Sequence, residues 1–90
     1  MNHRPILEMY VTRGCSSCRR AERAIRDCEQ IRQLVDVAMV ELGSPGVLAP
    51  PSVVAGPTLV FRGVVVALGT PDCGELAERL CSLLAQGAVD

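Results

Sequence analysis

Apolar positions along the chain of 90 residues follow two different periods, and each change of period marks the boundary of a predicted element. Short runs rich in β-branched residues predict four strands, at residues 6–12, 35–42, 58–61 and 64–68. Apolar residues spaced by three and four predict two amphipathic helices. The first helix should run from Cys15 to Leu34, and the second should begin within residues 70–75 and end at Gly87.

The strands are expected to differ in their surroundings. Residues 35–42 are short and β-branched, which predicts a largely buried strand. The third and fourth strands flank Arg62 and Gly63, the spacing of a tight antiparallel hairpin. Residues 43–57 are rich in proline and glycine, so we expect a loop there with at most one helical turn.

The start of the second helix offers two alternative caps. Thr70 can cap with Pro71 in the first turn, or Asp72 can cap while Glu75 reaches back to it. In either case the element order is β-α-β, loop, β-β-α. This order predicts an α/β fold in which a right-handed crossover joins a parallel pair and a hairpin adds antiparallel strands, giving a mixed four-stranded sheet with helices packed on it.

Composition limits the partners that the chain can have. With 49% hydrophobic and 21% charged residues, the sequence predicts one folded domain over residues 1–90, with its core at about 6–86. A net charge of −1 and only two aromatic residues argue against a nucleic-acid partner. No apolar run approaches the ~20 residues of a membrane span and the N-terminus does not resemble a signal peptide, so we expect a cytoplasmic monomer without a membrane partner.

Two absences exclude whole classes of catalysis. All nine basic residues are arginine, which removes lysine Schiff-base chemistry and a phosphate-loop lysine. The one histidine, His3, precedes the first apolar run, where it is poorly placed to act as a base beside a cysteine. Hydrolysis by a cysteine–histidine pair is therefore not expected.

The stretch TRGCSSC places Cys15 and Cys18 at the start of the first predicted helix. Unpaired N–H groups and the helix dipole favour a thiolate there, and in such motifs the pKa of the first thiol falls from ~8.5 to as little as ~3.5. Seven of the nine arginines lie in residues 1–32, against four acidic residues. One helical turn brings Cys18 back within disulfide reach, so Cys15 is the predicted exposed nucleophile and Cys18 the buried resolving thiol.

The other three cysteines are expected to be mainly structural. Cys28 and Cys81 continue the apolar stripes of the two helices and are predicted to be small buried groups. Cys73 is predicted to be structural, with a secondary reactive thiol as the alternative. The odd number and the spacing of the cysteines do not resemble a secreted disulfide scaffold, and no second C-x-x-C exists to complete a zinc site, so no metal site is expected.

Three features together resemble the thioredoxin and glutaredoxin family over roughly residues 6–86. They are YVTRGCSSC at the end of the first strand, the amphipathic helix that follows, and GPTLVF later in the chain. The resemblance implies a thioredoxin-like fold and a small thiol–disulfide oxidoreductase without a bound cofactor. Its substrates would be a disulfide-bearing protein or glutathione disulfide, with glutathione as a co-substrate or an unknown reductase as the electron donor.

The resemblance also implies roles for individual residues. Cys15 would attack a substrate disulfide, and Cys18 would then attack Cys15 to release the reduced substrate. Pro57 would be a cis-proline facing the pair, between Gly56 and Thr58. The backbone beside this proline would bind substrate as an added strand does.

Arg13 adds positive charge beside the pair and is a candidate substrate-binding residue.

The sequence departs from the family at several positions. Glutaredoxins grip glutathione with paired glycines and an aspartate, for which this chain offers Gly69 and Asp72; a plain helix cap is the favoured interpretation. Met9 stands where thioredoxins have a buried acid, and Glu8 alternates to the opposite sheet face. A thioredoxin-type proton relay is therefore not expected.

Two alternative functions remain open. Soft-metal carriers also present C-x-x-C between a first strand and a first helix, where it holds copper(I) or a similar ion. Their fold ends in a strand, whereas this chain ends in a leucine-rich helix. A non-catalytic redox-sensing adaptor would use the same fold and the same disulfide, and the sequence does not separate it from the enzyme.

Overall fold

Four strands form one mixed sheet in the computed structural model, which describes residues 4–47 and 56–87. In chain order the elements are β1 (Ile6–Val11), α1 (Ser16–Arg26), α2 (Glu29–Leu34), β2 (Asp36–Glu41), β3 (Thr58–Phe61), β4 (Val64–Leu68) and α3 (Cys73–Gly87). The strand order is β2-β1-β3-β4, with β1 and β2 parallel and the other two pairs antiparallel. The α/β class, the mixed four-stranded sheet and its strand directions are thereby confirmed.

The sheet has two unequal faces. On β1, Leu7 and Met9 point toward the helices, while Tyr10 points to the other face. All three helices contribute to the core on the first face. Its largest fully buried apolar side chains are Phe61, Leu7, Met9, Ile31, Leu59, Leu80 and Val35. Burial of one such side chain contributes about 1.5–3 kcal/mol, so this face supplies most of the stabilisation.

The prediction of one continuous first helix is wrong, because the structure has two helices in its place, α1 and α2. The break falls at Asp27 and Cys28, and Cys28 has an extended backbone with φ −92° and ψ 98°. Cys28 is 2% exposed and is bonded to Cys73 of α3. Because the backbone leaves the helix at Cys28, the Cys28 side chain points toward α3. In a continuous helix, the helical repeat alone would set the direction of this side chain.

The prediction that the second strand is largely buried is also wrong. β2 is an edge strand, and in the described residues only β1 pairs with it. Val37 and Met39 are 36% and 44% exposed, although the parallel register places Met39 opposite the buried Met9. β-Branched composition predicted the strand correctly, but it does not tell which strand will be at an edge.

The predicted hairpin is confirmed. Its two central residues, Arg62 and Gly63, both have positive φ, at 52° and 80°. That geometry matches the twist of the flanking strands and usually favours asparagine or glycine at the first position. Here the Arg62 guanidinium lies 5.1 Å from the centre of the Phe61 ring and donates a 3.5 Å hydrogen bond to the carbonyl of Leu83. These contacts stabilise Arg62 at a turn position where arginine is uncommon.

The start of α3 follows the second of the two proposed caps. The Oδ2 of Asp72 accepts a hydrogen bond from the backbone N–H of Glu75 at 3.0 Å. Leu76 and Leu80 are buried as predicted, but Cys81 is exposed, so its prediction as a small buried group is wrong. Cys81 lies off the apolar stripe of α3, which continues past Leu80 to Leu83 and Leu84.

Two further observations complete the fold. Residues 43–47 form turns, and the rest of the predicted loop, up to residue 55, lies outside the described residues. Within residues 4–47 and 56–87, no helix has both the length and the apolar content needed to cross a membrane.

Candidate redox site

The Cys15–Cys18 pair lies at the junction between the end of β1 and the start of α1. Gly14, with φ +72°, makes the turn after the strand, a conformation that glycine adopts without a steric penalty. Cys15 is the N-cap of α1, and its sulfur is bonded to that of Cys18 with 5.2 Å between the Cα atoms. The expectation that one helical turn brings the two sulfurs together is confirmed.

The surroundings of the Cys15 sulfur favour negative charge. Its Sγ accepts a 3.0 Å hydrogen bond from the backbone N–H of Cys18 and lies 3.3 Å from the Ser17 hydroxyl. The first turn of α1 holds no acidic residue that would oppose a thiolate. Cys15 is half-buried, whereas Cys18 is only 4% exposed. An incoming disulfide therefore reaches Cys15 more readily than Cys18.

The turn before β3 lies directly against the pair. The Gly56–Pro57 peptide bond is cis, as the resemblance implied. A methyl group placed on Gly56 would lie 3.0 Å from the Sγ of Cys18 and 2.9 Å from the Cα of Val11. Pro57 is buried and Thr58 is 2% exposed at the start of β3. Only a residue without a side chain fits this contact between the turn and the cysteines.

Gly69 contacts the turn beside the cysteine pair, whereas Asp72 lies at a different cavity. The backbone N–H of Gly69 donates a 3.0 Å hydrogen bond to the carbonyl of Pro57, so the end of β4 holds the cis-proline turn. Asp72 instead caps α3 and borders a cavity of about 290 Å³ that neither cysteine of the pair lines. This position supports the helix-cap interpretation of Asp72.

A smaller cavity opens beside the pair on the side of β2. Its volume is about 210 Å³, and both cysteines line it together with Arg13 and Arg19. The Arg13 side chain is 90% exposed, and its Nε lies 3.7 Å from the Oε1 of Glu41. Arg13 is therefore beside the pair, as predicted from the sequence, but is partly neutralised by a carboxylate.

The acidic residue of β1 lies away from the pair. Glu8 pairs with Val60 on the sheet face opposite the helices, and Met9 occupies the buried position on the helix side. Burial, reinforced by the charge of Glu8, raises the pKa of the Tyr10 hydroxyl above its usual 10.0. Tyr10 is therefore protonated at neutral pH, and the Glu8–Tyr10 side of the sheet is remote from the cysteines.

A second disulfide is the feature that the sequence analysis missed. Cys28 and Cys73 are bonded across a sequence separation of 45, with 5.7 Å between their Cα atoms. Cys28 is buried as predicted, but it is half of a covalent bond and not an isolated apolar group. The bond supports the structural role expected of Cys73. Their spacing follows no motif, and only the packing of α2 against α3 brings them together.

The metal-binding capacity of the site is limited to the pair itself. Within the part of the chain that the structure describes, no group of three or more histidine, cysteine or acidic side chains could hold a metal ion. The reduced pair would offer two sulfur ligands.

The chain matches no protein-family model, and it matches no curated protein.

Proposed function

We propose that the chain is a small thiol–disulfide oxidoreductase with a thioredoxin-like fold, in which Cys15 and Cys18 exchange two electrons with a disulfide. One observation carries the proposal: the Cys15–Cys18 bond lies at the start of α1, directly against the cis Gly56–Pro57 turn. The parallel β1–β2 pair, the β3–β4 hairpin and the final α3 support the proposed fold.

Cys15 is the attacking group in this proposal. The Cys18 N–H and the positive end of the α1 dipole would stabilise its thiolate in the reduced protein. Cys15 is also the more exposed of the two. Reactivity in thiol–disulfide exchange depends on both the thiolate fraction and access to the sulfur.

The reaction occurs in two exchange steps. The Cys15 thiolate attacks one sulfur of the substrate disulfide, and the other sulfur leaves as a thiolate that takes a proton from water. Cys18 then loses its proton and attacks the Cys15 sulfur, which releases the second substrate thiol and forms the Cys15–Cys18 disulfide. The substrate gains two electrons and two protons. The protein loses two electrons and the Cys18 proton, and the second proton comes from water.

An external thiol reductant must return the pair to its reduced form. A dithiol protein or two molecules of glutathione would supply the two electrons, and no bound cofactor is required. The backbone around Pro57 and Thr58 would bind the chain that carries the substrate disulfide. Gly69 supports this surface because it donates to the Pro57 carbonyl.

The proposal is tested by reduction of insulin disulfides with dithiothreitol as the electron donor. We expect Cys15→Ser to abolish the catalysed rate, because the attacking sulfur is lost. We expect Cys18→Ser to accumulate a mixed disulfide at Cys15 that is visible by mass spectrometry. Cys81→Ser is the matched control, because Cys81 is exposed and unbonded. Catalysis that survives Cys15→Ser would refute the proposal.

The same variants separate the two alternative functions. A soft-metal carrier would bind copper(I) through both reduced sulfurs at sub-micromolar competition strength, and either serine substitution would remove the binding. A redox-sensing adaptor would show the disulfide but no turnover. Turnover that depends on Cys15, together with weak copper(I) binding, favours the oxidoreductase over both.

A further inference from the structure

A continuous furrow leads away from the cysteine pair along the seam between α1 and β2. The cavity of about 210 Å³ beside Cys15 and Cys18 is its near end. A second cavity of about 500 Å³ continues toward the start of β2. Glu22 of α1 and Met39 of β2 line both cavities, so the two adjoin each other along this seam.

The floor of the furrow is apolar and incompletely covered. Met39 and Val37 point to the helix side of the sheet, in register with Met9 and Leu7 of the core. They are nevertheless 44% and 36% exposed. In the described parts of the chain, no strand lies beyond β2 to cover them. Exposed apolar side chains beside a free strand edge are a common feature of polypeptide-binding surfaces.

The rim of the furrow carries an excess of positive charge. Five arginines and three acidic residues line the two cavities: Arg4, Arg13, Arg19, Arg26, Arg32, Glu22, Asp36 and Glu41. Each acidic residue forms an ion pair with one arginine. In the described residues, Arg19 near the pair and Arg32 at the far end have no carboxylate partner. Two cationic groups are thus available, one at each end.

We propose that this furrow binds the acidic, apolar polypeptide segment next to the disulfide of a protein substrate. The inference rests on the proposed function, because the substrate disulfide must reach Cys15. Three observations select this occupant: the furrow begins at the pair, Met39 and Val37 are exposed, and Arg19 and Arg32 have no carboxylate partner in the described residues. β2 rises by about 16 Å between the two ends, the length of about five extended residues.

The test uses two synthetic peptides, each with one cysteine held as a mixed disulfide with thionitrobenzoate. In one peptide, glutamate and leucine alternate after the cysteine; in the other, glutamine replaces each glutamate. The pre-reduced protein attacks the disulfide, and released thionitrobenzoate is followed by absorbance. Cys18 then displaces the peptide thiol, so each protein molecule releases one of each thiol. The readout is the ratio of the two second-order rate constants.

We expect the wild-type protein to favour the acidic peptide by about tenfold at low salt, since each exposed charge pair contributes up to about 1 kcal/mol. The Arg19→Gln/Arg32→Gln variant should bring this ratio close to one. Arg20→Gln is the control for a loss of charge alone, because it removes one positive charge from an exposed α1 position that does not line the furrow. It should leave the preference within about twofold of wild type. High salt should weaken the preference.

The outcomes distinguish a failure of the furrow proposal from a failure of the proposed function. If neither peptide releases thionitrobenzoate faster than Cys15→Ser does, the proposed function itself fails. If both peptides react with Cys15 at equal rates, or if Arg20→Gln removes the preference as fully as the double variant, only the furrow is refuted. The furrow proposal would also be refuted if the wild-type protein were a dimer and Val37→Asp converted it to a monomer. A second copy of the chain would then occupy the furrow.

Discussion

Gly56 and Cys18 are in such close contact that a Cβ on the glycine would lie 3.0 Å from the cysteine sulfur. The contact joins two segments that are far apart in sequence, the start of α1 and the cis-proline turn. It fixes the Cys18 sulfur beneath the surface on which we propose that a substrate lies. Any side chain at position 56 would have to displace either the turn or the sulfur.

We therefore expect Gly56→Ala to lower the free energy of unfolding by about 1–3 kcal/mol, the usual range for overpacking in a tight interior. It should also slow the release of substrate from the mixed disulfide, because Cys18 would be displaced. Chemical denaturation and single-turnover kinetics measure the two effects. Gly74→Ala is the control, since its added methyl would meet only Asp72 Oδ2, at 3.6 Å. If both variants behave alike, the Gly56 contact has no special role.

The Cys28–Cys73 bond is expected to be the main covalent stabilisation of the helix layer. It ties the start of α2 to the first turn of α3 across 45 residues. By the chain-entropy estimate, such a crosslink contributes about 4 kcal/mol. We expect Cys28→Ala/Cys73→Ala to lower the free energy of unfolding by about 2–4 kcal/mol in urea denaturation. Cys81→Ala should change it by less than about 0.5 kcal/mol. A double variant as stable as wild type would contradict this role.

The two disulfides should be reduced in a fixed order. Each disulfide joins a buried sulfur to a half-buried one, so access alone does not set the order. The Cys15 sulfur accepts a hydrogen bond from the Cys18 N–H, which makes it a good leaving group in thiol–disulfide exchange. Increasing dithiothreitol should therefore open Cys15–Cys18 first and Cys28–Cys73 only afterwards. Alkylation followed by peptide mass spectrometry gives the order directly. Reduction of Cys28–Cys73 first would contradict the leaving-group advantage of Cys15.

Asp72 is expected to act as a helix cap and not as a glutathione ligand. Asp72→Ala should lower the free energy of unfolding by about 1 kcal/mol, because the Glu75 N–H loses its acceptor. Asp72→Asn should retain most of the stability, since asparagine caps equally well. Neither change should alter the KM for a glutathione mixed disulfide. A several-fold rise in that KM with Asp72→Asn would instead support glutathione binding at this position.

Much of the fold was predictable because its signals are local. The Arg62-Gly63 turn and its flanking strands are adjacent in sequence, and the same is true of the Asp72 cap and Glu75. The proximity of Cys15 and Cys18 follows from one helical turn. The cis Gly56–Pro57 bond was expected from resemblance alone. The roles of Arg13, Gly56, Pro57, Thr58 and Gly69 in substrate binding stay predictions.

The errors arose where a partner distant in sequence determines the outcome. The break before Cys28 contains neither glycine nor proline, and the apolar spacing of three continues across it through Ile25 and Ile31. At the break, Cys28 is bonded to a cysteine 45 residues later, a partner that no local pattern reveals. β2 was predicted to be buried because composition does not reveal an edge position. The open furrow beside it was missed for the same reason.

The central claim is that the reduced protein holds the Cys15 sulfur as a thiolate at neutral pH. Its most direct test is the rate of iodoacetamide alkylation at each cysteine between pH 4 and pH 10, with the exposed Cys81 as the reference within the same molecule. We predict that Cys15 reacts first, that Cys18 reacts far more slowly, and that the Cys15 rate levels off well below the ~8.5 of an ordinary thiol. Equal rates at Cys15 and Cys18, or a Cys15 rate still rising above pH ~8.5, would contradict the claim.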